Sequence, residues 1–147
     1  MKVEQKTLDH RMDAFAALCR QAGIRATHQR TEVFREVART EEHPDAESVY
    51  RRVKRRIPAI SLDTVYRTLR LLDDKGLISK VSYPGDRTRF DANSDHHHHF
   101  ICTKCGRIID FESEQLDEME LPEGVESLGT AASRQLQVYG ICRDCEE

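Results

Sequence analysis

Two Cys-x-x-Cys pairs, Cys102 with Cys105 and Cys142 with Cys145, constrain this chain more than any other feature of its 147 residues. They lie in a C-terminal third with few large apolar side chains. Folding units much below about 60 residues bury too little surface to stand without a metal, a disulfide or a partner. Four thiolates on two knuckles 36 residues apart form a tetrahedral soft-ligand cage, for which Zn²⁺ is the default ion. A disulfide framework fits less well. The cysteine count is five, an odd number, and the N-terminal "MKVEQKTLDHRMD" lacks the apolar segment of a signal peptide. Thioredoxin-type redox use of either pair would need a βαβ setting with a cysteine at a helix start, and neither pair has one. No apolar run approaches the roughly 18 residues of a spanning helix, so a soluble, cytoplasmic protein without a membrane partner is expected.

The formal net charge of −3 conceals two electrostatic halves. Residues 1–92 carry a balance of +5 and residues 93–147 one of −8. A basic first part suits a polyanion, whereas the acidic second part needs a different explanation.

Hydrophobic periodicity supplies the elements of the basic half. Leu8, Met12, Phe15, Cys19 and Ala22 lay one apolar stripe along a helix that Gly23 ends, which makes Cys19 a packed thiol. Thr27 caps a second helix bearing Val33, Phe34, Val37 and Ala38, broken by "EEHPD". Asp45 caps a third, with Ala46, Val49, Tyr50, Val53 and Ile57 on one side and Pro58 at its end. Ser61 caps a fourth, in which Leu62, Val65, Leu69 and Leu72 face inward, Thr64, Arg67 and Arg70 face outward, and Gly76 follows as the left-handed cap. "LISKVSY" and "RTRFDA" then flank the turn "PGD". Three helices in a row followed by a hairpin is the order of a winged helix-turn-helix, whose last helix enters the DNA major groove. "RRVKRR", Arg51 to Arg56, adds positive charge suited to phosphates.

Beyond Asp91, "HHFIC", "GRIIDF" and "RQLQVYGIC" read as short strands and "SEQLDEMEL" as an acidic helix. Four consecutive histidines, His96 to His99, open this part, too deep in the chain for a purification tag. On a strand they alternate, placing His97 and His99 on one face and His96 and His98 on the other. Two imidazoles do not make a tight metal site. Asp91, Asp110 and His43 are the candidates to complete one, and mixed His and carboxylate ligation suits Fe²⁺, Mn²⁺ or Zn²⁺.

"GIRATHQR", "HPDAESVY", "SLDTVYRTLRLLDDKGLI", "RFD", "DHHHHFICTKCGRIIDF" and "VYGICRDC", in that order, resemble the ferric uptake regulator superfamily of metal-responsive dimeric repressors. The resemblance implies an α+β protein: an N-terminal winged helix-turn-helix (1–90), a hinge (91–96) and a small C-terminal α/β dimerisation domain with a four-cysteine zinc site (97–147). It implies structural Zn²⁺ on Cys102, Cys105, Cys142 and Cys145, and a regulatory Fe²⁺ or Mn²⁺ on His43, Asp91, His97, His99 and Asp110. The expected partners are a second copy of the chain and double-stranded operator DNA. Thr64, Tyr66 and Arg67 fall on the DNA-reading helix, and Arg25, Thr27, Arg30, Ser61 and Arg70 complete the expected contacts. Asp91 in "RFD", where iron sensors tend to have Glu, and Asp110 in "RIIDF" resemble the peroxide-responsive branch. That branch implies loss of repression when a ligand histidine is oxidised; a plain iron or zinc sensor is the alternative. An auxiliary site of other members would use His96 and Asp117, but Arg134 stands where they carry a histidine. A second departure, His28 where proline is usual, leaves the start of the second helix open. A metallohydrolase would need a base motif such as HExxH, which the sequence lacks, and a zinc-stabilised protein-interaction module would leave the basic half unexplained. An enzyme is therefore not expected.

Overall fold

The computed structural model of the chain describes residues 2–82 and 87–146. The turn expected at Pro84 to Asp86 lies outside the described residues. The chain divides into two compact units, Met1–Ser94 and Asp95–Glu147. No helix among the described residues is long and apolar enough to cross a membrane.

In the first unit α1 spans Gln5–Ala22 and buries Leu8, Phe15 and Cys19. Burial raises the pKa of the Cys19 thiol, as befits a packed side chain. Ala22, expected on the stripe, is exposed, because Gly23 (φ 69°) already turns the chain away. The second helix, α2, runs His28–Ala38 with the Thr27 hydroxyl accepting the Arg30 amide at 3.3 Å. His28 takes the first helical position, where the amide has no intrahelical acceptor, so the helix starts there without a proline. α3 (Ala46–Lys54) begins with Asp45 Oδ1 accepting from the Ser48 amide at 2.9 Å. It stops before Pro58, the Arg56 and Ile57 amides both turning back to the Val53 carbonyl, since helical geometry is disfavoured just before a proline. α4 (Leu62–Asp74) starts on the Ser61 hydroxyl, 3.1 Å from the Thr64 amide, and buries Val65, Thr68, Leu69 and Leu72; Leu62 is only half-buried. Strands β1 (Ser79–Val81) and β2 (Arg89–Asp91) pair antiparallel with Lys80 opposite Phe90.

One apolar cluster joins these elements, with the rings of Phe15 and Phe34 stacked at 4.3 Å. A polar network borders it. Arg56 reaches inward, its Nε 2.8 Å from Glu32 Oε2 and an Nη 2.7 Å from Glu36 Oε1, and Arg39 approaches the same Glu36 oxygen at 3.3 Å. Glu36 is buried, and a buried carboxylate requires such partners. One charge of "RRVKRR" is thus committed to buried carboxylates rather than to phosphate.

The second unit is a three-stranded sheet in the order β4-β3-β5: β3 (His98–Cys102), β4 (Ile108–Phe111) antiparallel to it, and β5 (Gln137–Gly140) parallel to it. Short helices α5 (Glu114–Glu118), α6 (Val125–Leu128) and α7 (Arg143–Glu146) complete it. α5 is shorter than "SEQLDEMEL", because the backbone is already extended at Met119. Strand geometry starts at His98 rather than His96.

Candidate metal centres and nucleic-acid interface

Parallel pairing of β3 and β5 puts Cys102 opposite Gly140, so the knuckles that follow both strands leave the sheet at the same end. Gly140 allows this approach: a Cβ there would stand 3.1 Å from the Phe100 ring. The sulfurs of Cys102, Cys105, Cys142 and Cys145 lie within 4.8 Å of one another. Amides of Cys105 (3.5 Å) and Cys142 (3.3 Å) point at the Cys102 sulfur and draw its pKa down to about 6. Contact with Cys142, together with burial, pushes Cys145 up to about 12. Binding of a cation by four thiolates would release the protons that the cluster holds. Four sulfurs at this spacing fit a tetrahedral soft ion.

The histidine run divides by face as strand alternation demands. The rings of His97 and His99 stand 4.8 Å apart, and those of His96 and His98 5.1 Å apart. On the first face the β3–β4 register sets His99 opposite Asp110. His99 Nε2 is 3.3 Å from Asp110 Oδ1 and His97 Nε2 3.7 Å from Asp110 Oδ2. His97 Nδ1 lies 2.6 Å from the Asp95 carbonyl oxygen, which can only accept. The proton therefore sits on Nδ1 and the lone pair on Nε2, the tautomer that metal ligation by Nε2 uses.

His98 is set the opposite way. Its Nδ1 accepts the Leu136 amide at 3.0 Å, so Nε2 carries the proton and donates to Asp117 Oδ1 at 2.9 Å. His96 Nε2 is 3.0 Å from the same oxygen. His96, His98 and Asp117 thus cluster, but with both His98 nitrogens engaged only His96 and Asp117 are left to offer an ion a lone pair. Arg134, in place of a third ligand, donates to the Met119 carbonyl.

In the first unit His43 and Asp91 are both buried, with His43 Nε2 3.3 Å from Asp91 Oδ2. His43 is the one non-glycine residue with positive φ (56°) among the described residues, a conformation that costs on the order of 1–3 kcal/mol and marks functional turns. Sequence reasoning singled out His43 but missed what holds it: Arg89 donates to the Glu42 carbonyl (2.8 Å) and to the His43 carbonyl.

The residues expected to meet DNA gather around α2 and α4. Thr27, Arg30, Thr64 and Arg67 line one groove of 320 Å³ together with Gln29. Tyr66 is 46% exposed and Arg70 is exposed on the same helix. Arg67 Nε lies 2.8 Å from Asp63 Oδ2, and Arg30 donates to the Arg25 carbonyl at 3.0 Å. Ser61 and Thr27 are occupied as helix caps.

A winged-helix unit joined to a small sheet unit with a four-cysteine cluster defines a metal-responsive regulator, and the chain matches the Ferric uptake regulator family over residues 21–139; it belongs to that family. Among its relatives, the peroxide-responsive repressor PerR of Staphylococcus epidermidis is 36% identical over all of this chain and 98% of that protein. The structure of PerR from Streptococcus pyogenes is similar at 30% identity and a TM-score of 0.53, covering 91% of this chain and 92% of that one. A zinc-bound manganese uptake regulator is similar at 31% identity and a TM-score of 0.65, covering 92% of this chain and 98% of that one. Such relatives are transcriptional regulators rather than enzymes.

Proposed function

We propose that the chain is a dimeric, metal-dependent repressor that senses peroxide. The observation that carries this reading is the pair of His/Asp groups, buried His43 with buried Asp91 in the first unit and buried His97 and His99 with half-buried Asp110 in the second. A Fe²⁺ or Mn²⁺ ion ligated by all five would fix the orientation of the DNA-reading unit across the hinge at 91–96, and metal and operator binding would then be linked reciprocally. Zn²⁺ on Cys102, Cys105, Cys142 and Cys145 would hold the strand that carries His99 and that His97 immediately precedes. The proposed donor set is then three imidazoles and two carboxylates, suited to Fe²⁺, Mn²⁺ or Zn²⁺. The outer face of α4, with Thr64, Tyr66, Arg67 and Arg70, reads the major groove, while Arg25, Thr27, Arg30 and Ser61 meet the backbone. The His96/Asp117 cluster is a clasp, so each chain takes two ions at saturation. An Fe²⁺ ion held by these residues would supply the redox chemistry for H₂O₂ to oxidise a ligand histidine, His97 or His43: the ring gives up two electrons as a C–H bond is replaced by C–OH, and the second peroxide oxygen leaves as water.

The test is a gel shift on a duplex selected from random DNA with the Mn²⁺-loaded protein. Fe²⁺-loaded and Mn²⁺-loaded protein should both bind. Peroxide should release only the former and add 16 Da to a peptide containing His97 or His43. Metal-stimulated binding undiminished in His43→Ala, or oxidation confined to cysteine and methionine peptides, contradicts the reading. Similarity to the manganese uptake regulator favours a second reading, a sensor of metal availability alone, in which peroxide changes nothing.

A further inference from the structure

Resting on the reading of His43 as a ligand, we infer that Arg89 is a positioning residue for the regulatory ion and ties that ion to the wing. The segment Glu42 to Asp45 is stitched to β2 within the first unit. Arg89 donates from Nη2 to the Glu42 carbonyl at 2.8 Å and from Nε to the His43 carbonyl. The Phe90 amide donates to the Pro44 carbonyl at 3.0 Å, and Asp45 and Arg89 form an antiparallel bridge. Arg87, on the same stretch, stands 2.7 Å from Asp45 Oδ2.

Each contact has a consequence for the ligands. His43 holds a left-handed backbone that no glycine eases, so its turn persists only if neighbours over-determine it. A guanidinium on two successive carbonyls does this with two donors in a fixed plane, which a lysine ammonium does not reproduce. The same arginine is two residues from Asp91, so the group that shapes the turn also sets the strand from which the second carboxylate ligand projects. Asp45, at the other end of the stitch, caps α3 through the Ser48 amide at 2.9 Å. The loop bearing His43 is therefore fastened at once to the wing strand and to the helix that packs beneath α4. A shift in the His43–Asp91 spacing, 3.3 Å here, moves both.

The experiment compares full-length, zinc-loaded wild type with Arg89→Ala, Arg89→Lys and His43→Ala. Mn²⁺ binding is measured by calorimetry, operator binding by anisotropy across a Mn²⁺ series, and thermal stability and zinc content alongside. Arg89→Ala should weaken Mn²⁺ binding at least tenfold with zinc retained. Arg89→Lys should recover only part of this. Operator affinity should return as Mn²⁺ is raised to saturation, which a simply misfolded wing would not show. Should Arg89→Ala not fold, Arg89→Lys carries the test, and a weakening of threefold or more is expected. Mn²⁺ affinity within twofold of wild type in the Arg89 variants, with His43→Ala weakened, overturns the proposal. Unchanged affinity in His43→Ala instead removes the reading beneath it.

Discussion

The two units keep their shape by different means. Eighteen buried apolar residues form one cluster in the first, so α1 to α4 and the hairpin rest on hydrophobic burial. Among the described residues of the second, the buried hydrophobic side chains are Ile101, Cys102, Ile108 and Cys142, two of them cage ligands. At about 1.5–3 kcal/mol for each fully buried aliphatic side chain, two isoleucines cannot offset the conformational entropy of ordering such a unit. The cysteine cage and the polar clasps take the place of a core there. Polar side chains are buried there as well: His97, His98 and His99 are among the buried residues of that unit.

Removing the cage ion is the harshest way to test that contrast. Structural zinc contributes roughly 10–16 kcal/mol in small zinc-folded peptides. Stripping the metal, or making Cys142→Ser, should abolish amide protection in β3, β4 and β5 while α1 to α4 keep theirs in hydrogen exchange. Simultaneous loss in both units would break the contrast.

A core truncation probes the opposite side. Leu69, 1% exposed, should cost about 2–5 kcal/mol on replacement by Ala. Urea titration of the zinc-loaded protein should show the loss in first-unit amides alone.

Smaller is the clasp. Asp117→Ala leaves the buried His98 Nε2–H without its acceptor, a cost of about 1–3 kcal/mol. Faster exchange of the Leu136 amide should report it, with the metal count still two ions per chain. A drop in that count would show that the cluster binds metal after all.

The smallest effect lies at the α3 cap. Burial opposes ionisation of Asp45, but the Ser48 hydrogen bonds and the charges of Arg87 and Arg89 outweigh it and hold its pKa below the ordinary value. Its contribution is thus complete above the unfolded pKa of about 4 and fades as pH falls through the lower folded value. Asp45→Ala should cost about 1 kcal/mol near neutrality. The gap from wild type should close on acidification below about pH 4, and a gap that widened there would reverse the expected sign.

Much of this was legible in the residues. Caps at Thr27, Asp45 and Ser61 and the apolar stripes placed the four helices, because capping and 3.6-residue periodicity are local properties. The Cys-x-x-Cys spacing named the cage ligands, and the alternation of a strand sorted the four histidines by face even where strand geometry had yet to begin. Two expectations missed by a turn: α3 ends before Pro58, and α5 stops at Glu118. α3 gives way ahead of Pro58, since helical geometry is disfavoured in the residue before a proline, and α5 ends because the backbone is extended at Met119.

The four cysteines of the cluster, the order of the elements and the family could therefore be read from the residues alone. How residues of one type are put to different uses is a property of the folded chain. His97 and His98 are neighbours of one type, yet the Asp95 carbonyl puts the proton on Nδ1 of the first and the Leu136 amide puts it on Nε2 of the second. Arg56 turns in to Glu32 and Glu36 while Arg51 of the same run bonds Ser48 on its own helix, and Arg89 finds two carbonyls 46 and 47 residues away. Carbonyl and amide directions depend on strand pairing and turns far along the chain, which no local pattern of side chains encodes.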